Sequence, residues 1–303
     1  MDETVRVYVG TDRSQVLAVK VLEHSIKRHT KLDVEVHPML DLPIKKPLDP
    51  KNWQRTGFSF SRFCIPKLSN YSGKAIYLDA DMLVFQDIAE LWNLDFDGAK
   101  VVIQEEIPEQ YKNTDNKLGA PAKRKKQCAV MLLDCGRLDW EIENIIDELD
   151  KDEYDYETLM HELCILDENQ DIKCGVPFKW NSLEHYDENT CLIHYTDMAT
   201  QPWVSCKNRF GYLWLNELRL MLKNNSISMN EIQKEIDLGF FRPSLIKELK
   251  YGQIIPGFLQ PFFQKSNEAL DKKSEFKPHK EVYRLKKIRK KAMKDYKESQ
   301  LIN

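Results

Sequence analysis

Short apolar runs alternate with longer amphipathic stretches through the first two thirds of this chain. Val5-Arg-Val-Tyr-Val9 is an apolar run that predicts a first strand, and Gly10-Thr-Asp12 follows as a turn. Val16, Val19, Leu22 and Ile26 then recur at helical spacing, which predicts a helix over Gln15 to His29. Asp33 to Leu40 suggests a second strand. The next stretch, Leu42 to Pro50, carries Pro43, Pro47 and Pro50 and reads as a loop. Phe58 to Pro66 predicts a short helix ended near the proline. Lys74 to Phe85 holds two apolar runs with Asp79 and Asp81 between them, and the first run reads as a buried strand.

Ala99 to Gln104 and Cys128 to Leu133 predict further strands, separated by a polar loop over Glu109 to Lys126. Within that loop the basic run Lys123-Arg-Lys-Lys126 is either a solvated patch or a substrate contact. Ile142 to Leu149 and Tyr156 to Leu166 predict helices, and Thr190 to Tyr195 a late strand. Strands and helices alternating through residue 195 argue for an α/β sheet domain. After Trp203 the pattern changes. Tyr212 to Lys223 is amphipathic and helical, and the remainder is helical or irregular with a basic tail. The chain therefore divides into a sheet domain over residues 1–205 and a helical extension over 206–303.

Composition narrows the classes. At 303 residues with 42% hydrophobic positions, a full core is within reach and global disorder is excluded. A net charge of -3 gives no case for general nucleic-acid binding. The seven cysteines are scattered without a Cys-x-x-Cys, which argues against a zinc site or disulfide framework and for a reducing, cytoplasmic setting. The opening Met-Asp-Glu-Thr-Val-Arg predicts no secretory leader. No apolar run approaches the ~18 residues that span a bilayer.

The chemistry concentrates at Asp79 and Asp81. Residues two apart on a strand share a face, so both carboxylates can aim at one point. Two carboxylates at the end of a buried strand repel unless a cation sits between them, and a hard divalent ion suits oxygen ligands. Asp95-Phe-Asp97 has the same pattern, but in Asn93-Leu-Asp-Phe-Asp-Gly98 it reads as a solvated turn. The 79–81 pair differs by its apolar flanks. His194 ends another apolar run, Cys191-Leu-Ile193. Two carboxylates and an imidazole form a mixed set that suits Mn²⁺ better than an all-oxygen cage would.

These landmarks resemble the retaining glycosyltransferases of family 8, the group of glycogenin and the bacterial lipopolysaccharide galactosyl- and glucosyltransferases. The resemblance spans roughly residues 5–205. It rests on Tyr8-Val-Gly-Thr-Asp12, Ser61-Arg-Phe63, Tyr77-Leu-Asp-Ala-Asp-Met82 with Asp87-Ile-Ala-Glu-Leu-Trp92, Val130-Met-Leu-Leu-Asp134, and His194-Tyr195 with Pro202-Trp203. It implies a GT-A fold, a Rossmann-like mixed sheet flanked by helices. It also implies a UDP-sugar donor, Mn²⁺ (or Mg²⁺), and transfer of a hexose, glucose or galactose, with retention. By that likeness Asp79, Asp81 and His194 are metal ligands, and Asp79 with Ala80 also meets the donor. Thr11 and Asp12 would meet the base, and Arg62 the donor phosphate or sugar. The acceptor would be a carbohydrate, glycolipid or protein.

The chain departs from the family pattern in three places. The family often reads His-x-x-Gly-x-x-Lys-Pro-Trp; here the stretch is His194-Tyr-Thr-Asp-Met-Ala-Thr-Gln-Pro-Trp203. Gln201 thus stands where a lysine neutralises phosphate, and Lys207 or Arg209 could substitute. Gln127 stands in for an asparagine that reaches the sugar. In place of an Asp-Gln pair the chain offers Asp155 and Glu157, either of them a sugar-facing carboxylate or plain helix-surface charge. Trp180-Asn181 matches an aromatic-Asn step before the last core strands. A nucleotidyltransferase and a non-catalytic nucleotide-sugar-binding protein of the same fold are the rival readings. Finally, residues 277–297 are dense in lysine and arginine with Tyr283, Leu285, Ile288, Met293 and Tyr296 interleaved, a composition suited either to peripheral membrane contact or to a solvated helix on the core.

Overall fold

The computed structural model describes residues 4–105 and 127–300. The expected polar loop and its basic run at 123–126 lie outside the described residues. Strands β1 (Val5–Gly10), β2 (Val34–Met39) and β3 (Lys74–Asp79) pair in parallel, with β1 in the middle. β5 (Val101–Gln104), β6 (Val130–Asp134) and β7 (Ile172–Val176) extend the sheet to the order β2-β1-β3-β6-β5-β7. β6 runs antiparallel to both neighbours. Pro38 is tolerated in β2 because β2 is an edge strand, where a missing N–H costs no ladder bond.

The sheet is buried on both faces, and side-chain alternation sorts the residues. Val7, Val9, Ile76, Leu78 and Leu132 join one cluster, while Tyr8, Tyr77, Met131 and Leu133 join the other. Helix α1 (Val16–His29) covers the first face with Val19, Leu22 and Ile26. Each such side chain contributes about 1.5–3 kcal/mol of burial. Its opposite stripe, Leu17, Ala18 and Val21, packs with Trp214 and Leu218 of α6 (Gly211–Lys223). Phe60, Phe63, Trp140 and Tyr156 fill the second face, together with Ile145 and Leu149 of α4 (Ile142–Asp150).

Two expectations need correction. The strand that starts at Lys74 does not carry both Asp79 and Asp81. It breaks at Ala80-Asp81, and β4 (Met82–Val84) enters a second sheet of order β4-β9-β8 with β8 (Ser182–Leu183) and β9 (Leu192–His194). Tyr195 N donates to Asp81 O at 2.8 Å and holds that break in place. Pro66 does not end its helix. A 3-10 turn over Ser61–Cys64 runs into α2 (Ile65–Leu68), and Pro66 lies in the first turn of α2, where its absent N–H has no partner to lose. The remaining short helices are α3 (Ala89–Trp92) and α5 (Tyr156–Glu162).

Beyond α6 come α7 (Met229–Asp237), α8 (Ser244–Tyr251), α9 (Gln260–Lys273) and α10 (Lys280–Gln300). Just before α10, His279 Nε2 meets Met198 O at 2.7 Å. Within α10, Arg289 donates to Pro50 O at 3.0 Å and Lys51 O at 2.9 Å. No described helix is long and apolar enough to cross a membrane.

Candidate functional site

β1 and β3 end side by side, with Gly10 paired to Asp79. A Cβ on Gly10 would fall 2.3 Å from the Tyr77 hydroxyl and 3.0 Å from Phe58, so only glycine fits there. Thr11 and Asp12 follow Gly10 directly, and Ala80 and Asp81 follow Asp79, where the paired strands end. Thr11 and Ala80 are buried. Asp12 caps the turn that leads into α1, accepting from Ser14 N at 2.8 Å.

Asp79, Asp81 and His194 converge, each offering a ligand atom within 4.8 Å of the others. His194 Nε2 is 3.1 Å from Asp81 Oδ1. On the far side of the ring, Nδ1 lies 2.9 Å from Asn181 Oδ1. The Asn181 amide is fixed in turn by Gln104, with Nδ2 donating to Gln104 Oε1 at 2.6 Å. This chain puts the Nδ1 proton on the Asn181 side and points Nε2 into the cluster. Asp79 Oδ1 accepts from the Tyr77 hydroxyl at 2.6 Å. The two residues share a strand face, as their spacing requires.

Burial pushes the Asp79 pKa up; Arg62 opposes that shift and the Asp81 charge adds to it. At His194 burial disfavours the imidazolium, but the charge and hydrogen bond of Asp81 prevail and the pKa rises. Arg62 is buried against the Tyr77 ring, its Cζ 4.6 Å from the centroid. It donates to Cys128 O at 2.7 Å and to the Tyr77 hydroxyl at 3.1 Å, and stands 3.9 Å from Asp79 Oδ1. Its Nε has no partner among the described residues.

These groups open onto a cleft of about 300 Å³, whose walls include Arg62, Asp79, Asp81, Glu157, His194 and Thr196. Glu157 is bound at 2.7 Å by Arg55, which lies over the Tyr156 ring. Asp155 is directed elsewhere: it caps α5, accepting from Thr158 N at 2.9 Å. Cys128 and Ala129 line the cleft, whereas the preceding Gln127 does not.

Gln201 is buried, and its amide donates to Asp81 Oδ2 at 2.8 Å and Tyr195 O at 2.9 Å. Neither alternative cation reaches the cleft. Lys207 pairs with Glu268 at 3.3 Å, and Arg209 lines a separate cavity beside α9. Sequence reasoning missed Gln104 and Tyr77 as partners of the cluster, and it placed Asn181 without assigning it a role. The i, i+2 spacing of Tyr77 and Asp79 was a usable signal; the Gln104–Asn181 pairing had none.

The profile of Glycosyl transferase family 8 matches residues 3–148. Protein CDI of Arabidopsis thaliana is 30% identical over 241 residues, which cover 73% of this chain and 88% of that protein. The glycosyltransferase GlyE of Streptococcus pneumoniae TIGR4 superposes with a TM-score of 0.51 at 16% identity, over 71% of this chain. This chain spans only 60% of the length of GlyE. The galactosyltransferase LgtC, solved with donor and acceptor sugar analogs, aligns at 16% identity over 70% of this chain and 95% of its own, with a TM-score of 0.43. With its mixed sheet and the relatives it matches, this chain belongs to glycosyltransferase family 8 and is a glycosyltransferase of GT-A fold.

Proposed function

We propose that the enzyme moves a hexose, glucose or galactose, from a UDP-sugar to an acceptor hydroxyl with retention, using a divalent cation at Asp79, Asp81 and His194. The observation that supports this reading is the convergence of those three side chains at one point of the cleft. The donor set fits the ion. Two carboxylates and an imidazole favour Mn²⁺ over Mg²⁺, and Asn181 already holds the ring with Nε2 turned inward. When bound, such an ion supplies Lewis-acid stabilisation of the charge that develops on a departing diphosphate.

The chain's own residues do the rest. Asp79 and Asp81 hold the cation and need not move protons. Arg62, on the cleft wall, steadies donor phosphate or sugar. Thr11 and Asp12 take the base at the end of β1, beside Ala80. Glu157, on the cleft wall, serves the sugar, whereas Gln127 and Asp155 stand away from it. Residues 1–205 bind the donor, and the helices of 206–303 support them. Retention requires the acceptor hydroxyl of a carbohydrate, glycolipid or protein to approach on the face that the diphosphate leaves.

A ligand that binds only the folded state raises stability by about 2.7 kcal/mol at a hundred times its Kd. UDP with Mn²⁺ is therefore expected to raise the thermal midpoint, and Asp81→Ala to abolish the rise. Absence of a shift with every nucleoside diphosphate plus Mn²⁺ would sink the reading. Screening UDP-sugars for slow Mn²⁺-dependent hydrolysis, lost in Asp81→Ala, then identifies the donor.

A further inference from the structure

We infer that Gln201 is a positioning residue for Asp81, in the place where the family pattern puts a phosphate-binding lysine. The inference rests on Asp81 being a metal ligand. Gln201 is 1% exposed. A side-chain amide has two N–H donors, and both are committed here, to Asp81 Oδ2 at 2.8 Å and to Tyr195 O at 2.9 Å. None is left for a phosphate.

The amide orientation follows from its partners. Turned over, Oε1 would face two acceptor oxygens, so the nitrogen must lie on this side. Among the described residues Oε1 has no partner, a cost accepted to keep both donor bonds.

The consequence falls on Asp81. Its Oδ2 is held by Gln201, and its Oδ1 faces His194 Nε2 at 3.1 Å. The carboxylate is thus fixed through Oδ2, with Oδ1 presented to the metal cluster. The backbone reinforces this: Tyr195 N donates to Asp81 O at 2.8 Å, and the Gln201 amide returns to Tyr195 O. A lysine in this place would bring a positive charge against a metal-binding carboxylate. A neutral amide orients the carboxylate without competing with the cation.

Outer hydrogen-bond partners of metal ligands typically govern metal affinity by ~10–100-fold. The test titrates Mn²⁺ into the whole protein, with and without UDP, and follows free Mn²⁺ by electron paramagnetic resonance. Gln201→Met is expected to weaken Mn²⁺ binding within that range and to leave UDP affinity at saturating Mn²⁺ unchanged. Gln201→Asn keeps the amide one methylene short; it should shift in the same direction and guards against a folding failure, which circular dichroism would report. Unchanged Mn²⁺ affinity with lost UDP affinity would overturn the inference and return Gln201 to a phosphate role. A wild-type protein that holds no Mn²⁺ would overturn the metal reading first, and this inference with it.

Discussion

His194 Nε2 and Asp81 Oδ1 stand 3.1 Å apart across the end of the second sheet. The separation is that of an ion pair, and under the proposed function it would also suit two ligands of one cation. Asn181 maintains the spacing from behind the ring. Asn181→Leu is expected to weaken Mn²⁺ binding by ~10–100-fold. It should also cost about 1–3 kcal/mol of stability, because buried groups on His194 and Gln104 lose their partner. Calorimetric Mn²⁺ titration and urea unfolding measure the two effects separately.

Among the described residues, the cleft wall carries three carboxylates, Asp79, Asp81 and Glu157, against two guanidinium groups, Arg55 and Arg62. Without the family's lysine, these five groups sum to a negative charge, and the proposed divalent ion would reverse its sign. UDP is therefore expected to bind only with Mn²⁺ or Mg²⁺ present. Equal UDP affinity in chelator and in Mn²⁺, measured by calorimetry, would contradict this.

At the start of α7, Glu231 accepts from Ser228 N and Oγ, both at 2.9 Å, and from Lys20 at 3.1 Å. The backbone bond from Ser228, then that from Lys20, pull its pKa down to about 2. A lowered carboxylate pKa stabilises the fold above the unfolded value, near 4.3, and loses that contribution as pH falls toward the folded value. Glu231→Gln should therefore lower the thermal midpoint at pH 7 and converge on wild type near pH 2. Added salt should shrink the pH 7 difference, since the group is exposed. A constant difference across this range would show that the charge plays no part.

How much of this was legible depended on distance along the chain. β1, α1, β2 and β6 follow from local apolar spacing, because each buries a face or stripe of its own. β7 escaped notice because Ile172–Val176 is short, partly exposed and interrupted by Gly175. The kink after Asp79 was hidden because apolar residues continue on both sides, while the partners change from β1 and β6 to β9. Asp79, Asp81 and His194 could be named as a set from the strand ends they share. That Gln201 would reach back 120 residues to Asp81 could not, since no local pattern encodes it.

The ties at His279 and Arg289 also bear on how the protein is made. Met198 and Arg55 line the cleft. Met198 is bound by His279, while Arg55 shares Lys51 O with Arg289. On the ribosome, the sheet and the Asp79–Asp81–His194 cluster emerge well before residues 279–289. A nascent chain thus carries the cleft untied until His279 and Arg289 have left the exit tunnel.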